Sequence, residues 1–448
     1  MSAGSLQAKS RSTRRERWAW YLYDFGNSAY AAVVLLAVYS AYFEGSVVGG
    51  AEGQGSRLWG IAVGIAMLTV AISSPILGTI ADFSGSKKRF LFFYTTLCCL
   101  FTAALFFVQQ GDWFIGMAFF ILAEIGYRSA QVFYNALLPE IADKDEMGRI
   151  SGAGWAIGSL GGIVCLVIVL IPIVLTNSDP LVVRLSMVFT AIFFMASALP
   201  LFLWLGERAE SHPLPEGENY LSVAFKRLGT TFRAVRNFKE FIKFMIAFLI
   251  YNDGILMVLD FGAILGAILF QMEQQELIIF MIIVQVTSVI GAYVFGLLVN
   301  VLSGKQSLLI SLLLMIVPVV WLYFTRSRVD FYLIGALAGF ALTGVQSVSR
   351  TLVGVFSPPG KSAEFYGFFA VTGRTSSFIG PTVFGFLAAA ATTWYMDTRG
   401  LAELAAKQQG HRIALFSIVA FLLVGTLLLL LVNEKKGRAA AAAYIEEV

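Results

Sequence analysis

Charged side chains are scarce in this chain, making up 13% of its 448 residues, about half the share found in soluble globular proteins. That scarcity excludes a soluble enzyme, and a formal charge of only +4 supplies no cationic surface for nucleic acid. Histidine is rarer still: His212 and His411 lie in polar stretches with no cysteine or carboxylate cluster around them. A zinc site needs such a cluster, so neither a metal nor any other cofactor is expected. Cys98, Cys99 and Cys165 all sit inside apolar runs and read as small buried hydrophobes, not as a disulfide frame. No nucleophile–His pair presents itself, which argues against an enzyme. No G-x-x-x-x-G-K-[ST] loop occurs either, so ATP is not the energy source acting through this chain. A secretory signal peptide is not expected, because the basic start (Lys9, Arg11, Arg14, Arg15, Arg17) runs into an apolar stretch too long for one.

Apolar residues, by contrast, make up 58% of the chain, and the mean hydropathy is +0.78. A helix needs about 20 largely apolar residues to cross roughly 30 Å of hydrocarbon, and its backbone groups must be satisfied internally. Twelve runs meet that rule. The first six are Trp18–Phe43, Leu58–Ala81, Phe90–Val108, Trp113–Leu138, Ser151–Thr176 and Leu185–Gly206. The second six are Phe241–Phe270, Leu277–Leu302, Ser307–Thr325, Phe331–Ser357, Phe365–Thr393 and Ile413–Val432. The expected fold class is an all-α membrane protein with twelve transmembrane helices.

The loops and tails on the side of the termini hold 22 Lys and Arg residues, against 7 on the opposite side. By the positive-inside rule both termini belong in the cytosol. The longest polar insertion divides the spans evenly, giving a first half at 1–206, a linker at 207–240 and a second half at 241–448. Within the linker Leu221, Phe225, Leu228, Phe232 and Val235 recur at helical spacing among Lys226, Arg227, Arg233 and Arg236. Two readings fit: a basic amphipathic helix lying on the anionic leaflet, or a linker helix packed on the bundle ends.

The halves echo one another. Gly78 to Asp82 ends span 2 and Gly296 to Asn300 ends span 8, 218 residues on, while Pro139 and Pro358 close spans 4 and 10 at an offset of 219. A parallel repeat of two six-helix halves is the architecture of major facilitator transporters.

Seven ionisable residues fall inside the apolar runs: Asp24, Glu124, Arg128, Asp253, Asp260, Arg350 and Arg374. Each costs about 2.5–3.5 kcal/mol on insertion scales, so such groups point to function. Glu124, Arg128, Gln131 and Asn135 share one face of span 4, with Glu124 and Arg128 in the favourable i,i+4 order. They read either as a substrate anchor with a switching carboxylate or as a static ion pair. Asp253 and Asp260 are seven residues apart on span 7. Burial favours a carboxylate's neutral form, so Asp253 is the best candidate for a proton site; the competing reading makes it the partner of Arg128 or Arg350. Asp24, Asn27 and Tyr30 form a polar face on span 1, and Gln346 and Arg350 another on span 10. Substrate contacts are expected from all of these faces together with Asp253, and proton coupling from Asp253, Glu124 and Asp260.

Between spans 2 and 3 the run Gly78-x-x-x-Asp82-x-x-Gly85-Ser86-Lys87-Lys88-Arg89 combines a turn glycine with a helix-end carboxylate able to meet a neighbouring helix N-terminus. Its basic triplet is expected at the inner leaflet. Gly78, Asp82, Gly85 and Lys87, with Arg374, form the expected conformational latch.

That loop resembles the major facilitator loop 2–3 motif, with Ser86 where a basic residue is usual. Tyr23-Asp24-Phe25-Gly26-Asn27-Ser28-Ala29-Tyr30 and Phe133-Tyr134-Asn135-Ala136-Leu137-Leu138-Pro139-Glu140-Ile141 are similar to patterns of the vacuolar amino-acid effluxer-like branch. Gly152-Ala153-Gly154-Trp155-Ala156, Tyr251-Asn252-Asp253-Gly254 and Lys361-Ser362-Ala363-Glu364-Phe365-Tyr366-Gly367 fit the same branch, and Gly26 departs mildly from it. The resemblance implies a major facilitator fold whose cavity is lined by the first helix of each three-helix unit. The fungal members' long insertions are missing, which suggests a bacterial type and the cell inner membrane. The expected function is proton-coupled secondary transport of an amino acid or short peptide by a monomer among membrane lipids. A translocase of lipids or lipid-linked precursors and a non-transporting receptor or scaffold are the alternatives.

Overall fold

A computed structural model describes residues 12–48, 54–143, 145–208, 219–220, 222–223, 238–272 and 274–444. Among them every regular element is helical. The first half holds α1 (Arg14–Tyr30), α2 (Gln54–Ser84), α3 (Lys87–Ala104), α4 (Trp113–Ala136), α5 (Met147–Leu175) and α6 (Pro180–Trp204). The second holds α7 (Lys239–Phe270), α8 (Gln274–Val301), α9 (Gly304–Phe324), α10 (Arg328–Phe356), α11 (Ser362–Arg399) and α12 (Glu403–Leu430), followed by α13 (Glu434–Ala443). Ten of these helices are apolar and long enough to cross a membrane; α4 and α11 complete the twelve-helix, two-halves layout. The five linker residues Leu221, Phe225, Leu228, Phe232 and Val235 lie outside the described residues.

Local chemistry explains where the helices start. Thr13 and Glu16 form a reciprocal capping box on α1. Asp179 caps α6 ahead of Pro180, and Ser303, Ser327 and Asn433 cap α9, α10 and α13. Span 1 departs from the single helix expected over Trp18–Phe43. After Tyr30 it passes into π-helix at Ala31–Ala37, bends at Val38, and resumes as Tyr39–Tyr42 and a second π segment, Phe43–Val48. The wider winding seats Tyr39 and Phe43 against Trp59 and lets the Tyr39 hydroxyl donate to the Gly116 carbonyl at 3.2 Å. π segments of this kind concentrate where function needs an irregular helix.

The repeat extends to side-chain detail. Glu16 at the head of α1 accepts from the Gly206 N–H beyond α6 at 3.2 Å, and Glu240 at the head of α7 accepts from the Asn433 N–H beyond α12 at 2.6 Å. Glu207 accepts from the Lys88 N–H at 3.0 Å, as Glu434 does from the Lys305 N–H at 2.7 Å. The two lysine side chains then bond the carbonyls of Leu205 and Leu430. Burial pushes the Glu207 carboxyl above its ordinary range, against the pull of the Lys88 N–H it accepts from.

The halves meet where α2 packs on α11 and α5 on α8. These seams are built from glycine on the half-helices nearest the termini. A Cβ on Gly152 would lie 2.5 Å from the Ala292 carbonyl oxygen and 2.6 Å from the Gly296 Cα. One on Gly78 would lie 2.5 Å from the Ala363 oxygen, and one on Gly367 2.9 Å from the Ser74 oxygen. Gly152→Ala is therefore expected to cost about 1–3 kcal/mol through overpacking, measured as a lower melting temperature by tryptophan fluorescence in detergent. An unchanged melting temperature would mean that the seam yields freely.

Candidate functional site

Among the described residues three polar clusters lie inside the bundle, and a fourth closes its terminal face. The first is on α4. Arg128 Nε donates to Glu124 Oε1 at 2.6 Å, with Glu124 fully buried and the Arg128 side chain 26% exposed. One turn apart on one helix, the two meet without any help from tertiary structure. Arg128 also stands 5.2 Å over the Tyr127 ring, which stacks on Tyr30 at 4.7 Å. Glu124 Oε2, the Tyr30 hydroxyl and Asn27 Oδ1 are buried without a hydrogen-bond partner among the described residues. The arrangement leaves a partly exposed cation with a fully buried carboxylate behind it.

The second cluster gathers around Arg350 on α10, which is almost wholly buried. Its guanidinium donates to Ser151 Oγ at 3.0 Å, to the Ser151 carbonyl at 2.6 Å and to Asn135 Oδ1 at 3.5 Å, and it pairs with Asp24 Oδ2 at 3.7 Å. Trp20 and Trp155 cover it at 5.1 and 5.2 Å. Asp24, Asn135 and Arg350 thus come together across the two halves. In this state Arg350 has no free donor face for a solute, because Ser151 and Asp24 occupy it.

Asp253, at the middle of α7, is the centre of the third. It is fully buried, accepts from the Gly380 N–H at 2.9 Å through Oδ1, and leaves Oδ2 unpartnered among the described residues. The arginines offered as its partners are engaged elsewhere, Arg128 with Glu124 and Arg350 with Asp24. Its neighbours reach outward as well: Tyr251 bonds Ser349 at 2.7 Å and Asn252 donates to the Gly373 carbonyl at 3.3 Å. Asp260, two turns on, is exposed and separate from this cluster. Gln131 and Gln346 are half-buried on α4 and α10.

At the terminal face Gly85 takes φ +59°, and the turn it makes aims Lys87 inward. The basic triplet was expected at the leaflet; only Arg89 is exposed, while Lys87 is 2% exposed. Its ammonium lies 3.0 Å from Asp82, 2.8 Å from Glu140 and 2.7 Å from Ser362 Oγ. Two carboxylates and a hydroxyl outweigh the leaflet's diffuse field. Asp82 Oδ2 accepts from the Glu364 N–H at 2.8 Å, at the first turn of α11. The side chain of Arg374 lies outside the described residues.

Sequence patterns gave no sign of Ser151, Trp20 and Trp155 around Arg350, nor of Gly380 beside Asp253. Glu140, Ser362 and Glu364 stood inside recognised motifs without an assigned task.

Comparison with known proteins agrees with this architecture. Residues 47–442 match the family model described as "Vacuole effluxer Atg22 like". An uncharacterized MFS-type transporter, YxiO of Bacillus subtilis (strain 168), is 27% identical over 437 residues, covering 95% of this chain and 96% of its own. Autophagy-related protein 22-1 of Penicillium rubens is 26% identical over 258 residues, which is 53% of this chain and 44% of the fungal protein. Among solved structures, the proton:xylose symporter XylE superposes with a TM-score of 0.67 at 13% identity, covering 95% of this chain and 96% of that one. A bacterial homologue of the iron transporter ferroportin in its outward-facing state gives 0.66 at 12% identity, over 93% of this chain and 99% of that one. At those identities the likeness shows the fold alone.

Proposed function

This chain belongs to the Atg22-like family of vacuole effluxers, a major facilitator branch of transporters and not enzymes, and from that membership we propose that it carries an amino acid or short peptide in exchange for, or together with, protons. The observation that carries the reading is Arg128: a guanidinium partly open to solvent and held from behind by a fully buried carboxylate. A guanidinium binds a carboxylate in two parallel bonds, which suits the acid end of a zwitterion. The unpartnered Glu124 Oε2, Asn27 Oδ1 and Tyr30 hydroxyl supply acceptors for an ammonium nearby, and Gln131 extends that face. Asp24, Asn135 and Arg350 become available only as the two halves part, and the half-buried Gln346 extends their face. Asp253 holds the coupling proton, with Glu124 and, more exposed on the same helix as Asp253, Asp260 as the further candidates for it.

Transport then follows from the seams. With the terminal face sealed by Lys87 and Arg350, solute enters from the opposite face and reaches Arg128. Rocking of the halves about the midplane site breaks the Asp24–Arg350 pair and the Asp82–Glu364 bond, and opens the terminal side. The distribution of basic residues favours a cytosolic terminal side, the bacterial type of the chain favours the inner membrane, and a monomer suffices, its halves 1–206 and 241–448 moving against each other.

The test is uptake of labelled amino acids and dipeptides into proteoliposomes, with and without a pH gradient. Gradient-driven acceleration is expected, together with its disappearance in Asp253→Asn. Equal rates with and without the gradient would remove the proton, and no uptake of any such solute would remove the substrate class.

A further inference from the structure

We propose that Asp253 governs the seam between the halves through the backbone of α11, acting as a positioning residue and not as a solute ligand. The inference rests on the proton-coupling role given to Asp253 above. The geometry that carries it is that one rigid element touches both places. At its start α11 is fastened to the first half: Ser362 Oγ accepts from Lys87, the Glu364 N–H donates to Asp82, and Gly367 lies against the Ser74 carbonyl. Further along, the Gly380 N–H donates to Asp253. A Cβ at 380 would lie 2.9 Å from the Asp253 carbonyl oxygen and 3.0 Å from its Oδ1, so the two main chains touch there and only glycine fits. Pro381 follows inside the helix. It has no N–H to continue the ladder, which makes this the place where α11 bends most easily.

Among the described residues, the side chains packed around Asp253 bring no second carboxylate or free cation to it. From α10 comes Ser349, bonded to Tyr251, and from α12 come Leu422 and Gly425, packed on Gly254 and Tyr251. From α11 come Gly373 and Gly380, with Arg374 the nearest charged residue along that helix. On α7 itself Asp260 is exposed, and Arg350 is committed to Asp24.

A charge on Asp253 would be sealed from water with one hydrogen bond on Oδ1 and none on Oδ2, which is costly. A proton taken from water onto Oδ2 removes that cost and leaves Gly380 bonded, with α11 seated and the latch closed. When the proton returns to water Oδ1 becomes the better acceptor for Gly380, but the sealed charge with Oδ2 unpaired costs more than that bond returns, so the carboxylate draws solvent in beside Gly380 and the dry contact parts. The helix then swings about Pro381, lifting Ser362 and Glu364 off Lys87 and Asp82. The latch is thus closed at low pH and opens as pH rises, with no solute present.

The experiment is a distance measurement by pulsed electron resonance on the full chain in liposomes, without solute. Spin labels go on Asp143→Cys and Pro359→Cys, exposed positions on either side of the terminal face, after the three buried native cysteines are replaced by alanine. A single short distance is expected at pH 5, with a longer population growing by pH 8. Asp253→Asn keeps an acceptor for Gly380 but cannot titrate, so it should hold the short distance at both pH values. Gly380→Ala should show the long distance even at pH 5. Should Asp253→Asn respond to pH as the parent does, or Gly380→Ala behave as the parent, the coupling through α11 is wrong. Because no transport is measured, a chain that responds in this way yet ignores a proton gradient in uptake would sink only the proposed function.

Discussion

Lys87→Met is expected to lower the stability of the folded protein by about 3–5 kcal/mol, because it strands two buried carboxylates without their shared cation. Asp82 and Glu140 both lie within 3.0 Å of the Lys87 ammonium, and neither can reach water, each carboxylate side chain being no more than 6% exposed. Asp82 keeps the Glu364 N–H and Glu140 keeps the Arg208 N–H at 2.9 Å, so neither anion is wholly abandoned, which holds the loss within that range. Thermal unfolding in detergent reads the effect directly. A second readout separates stability from sealing: a thiol-reactive probe added from the terminal side should label Ser362→Cys faster in the Lys87→Met background. A melting temperature within error of the parent would show that the lysine contributes no net stabilisation where it sits.

Arg128→Met should reduce transport at low solute concentration by roughly 100-fold, the loss expected when a charge-assisted anchor worth about 3 kcal/mol is removed. That substitution also strands Glu124, which is fully buried, so lost transport alone would not distinguish an anchor from a prop. The double variant Glu124→Gln with Arg128→Met resolves the two. Removing both charges takes away the stranded carboxylate, and replacing a buried pair together is often close to neutral for stability. The double variant is therefore expected to melt near the parent and still fail to transport. If instead it recovers transport along with stability, the pair is only a static ion pair and the solute binds elsewhere.

Twelve helices were legible in the sequence because hydrocarbon thickness sets one ruler for all of them, and the two-fold repeat because Gly78 and Gly296 keep their register. The Glu124–Arg128 contact was legible for a related reason, since both ends belong to a single helix. What the linear order cannot encode is the partner a charge takes from another half of the molecule. Arg350 was placed correctly on α10, yet Asp24, Ser151 and the two tryptophans that enclose it come from α1 and α5. From sequence Lys87 reads both as a latch residue and, within its basic triplet, as one that faces the leaflet. The direction in which it points is decided by the backbone at Gly85 and by Glu140 waiting beneath it, neither of which leaves a trace in local composition. The ends of α11 show the same limit: the apolar run stops near Thr393, whereas the helix continues to Arg399.

The glycine seam at Gly152 and Gly296 differs in kind from the ionic one at Lys87. Where main chain rests on main chain, closing freezes no rotamers and strips no ion of its hydration. That contact should form and part quickly, once per cycle, with little wear on its fit. The ionic patch must shed water each time it shuts, a cost the glycine seam does not carry.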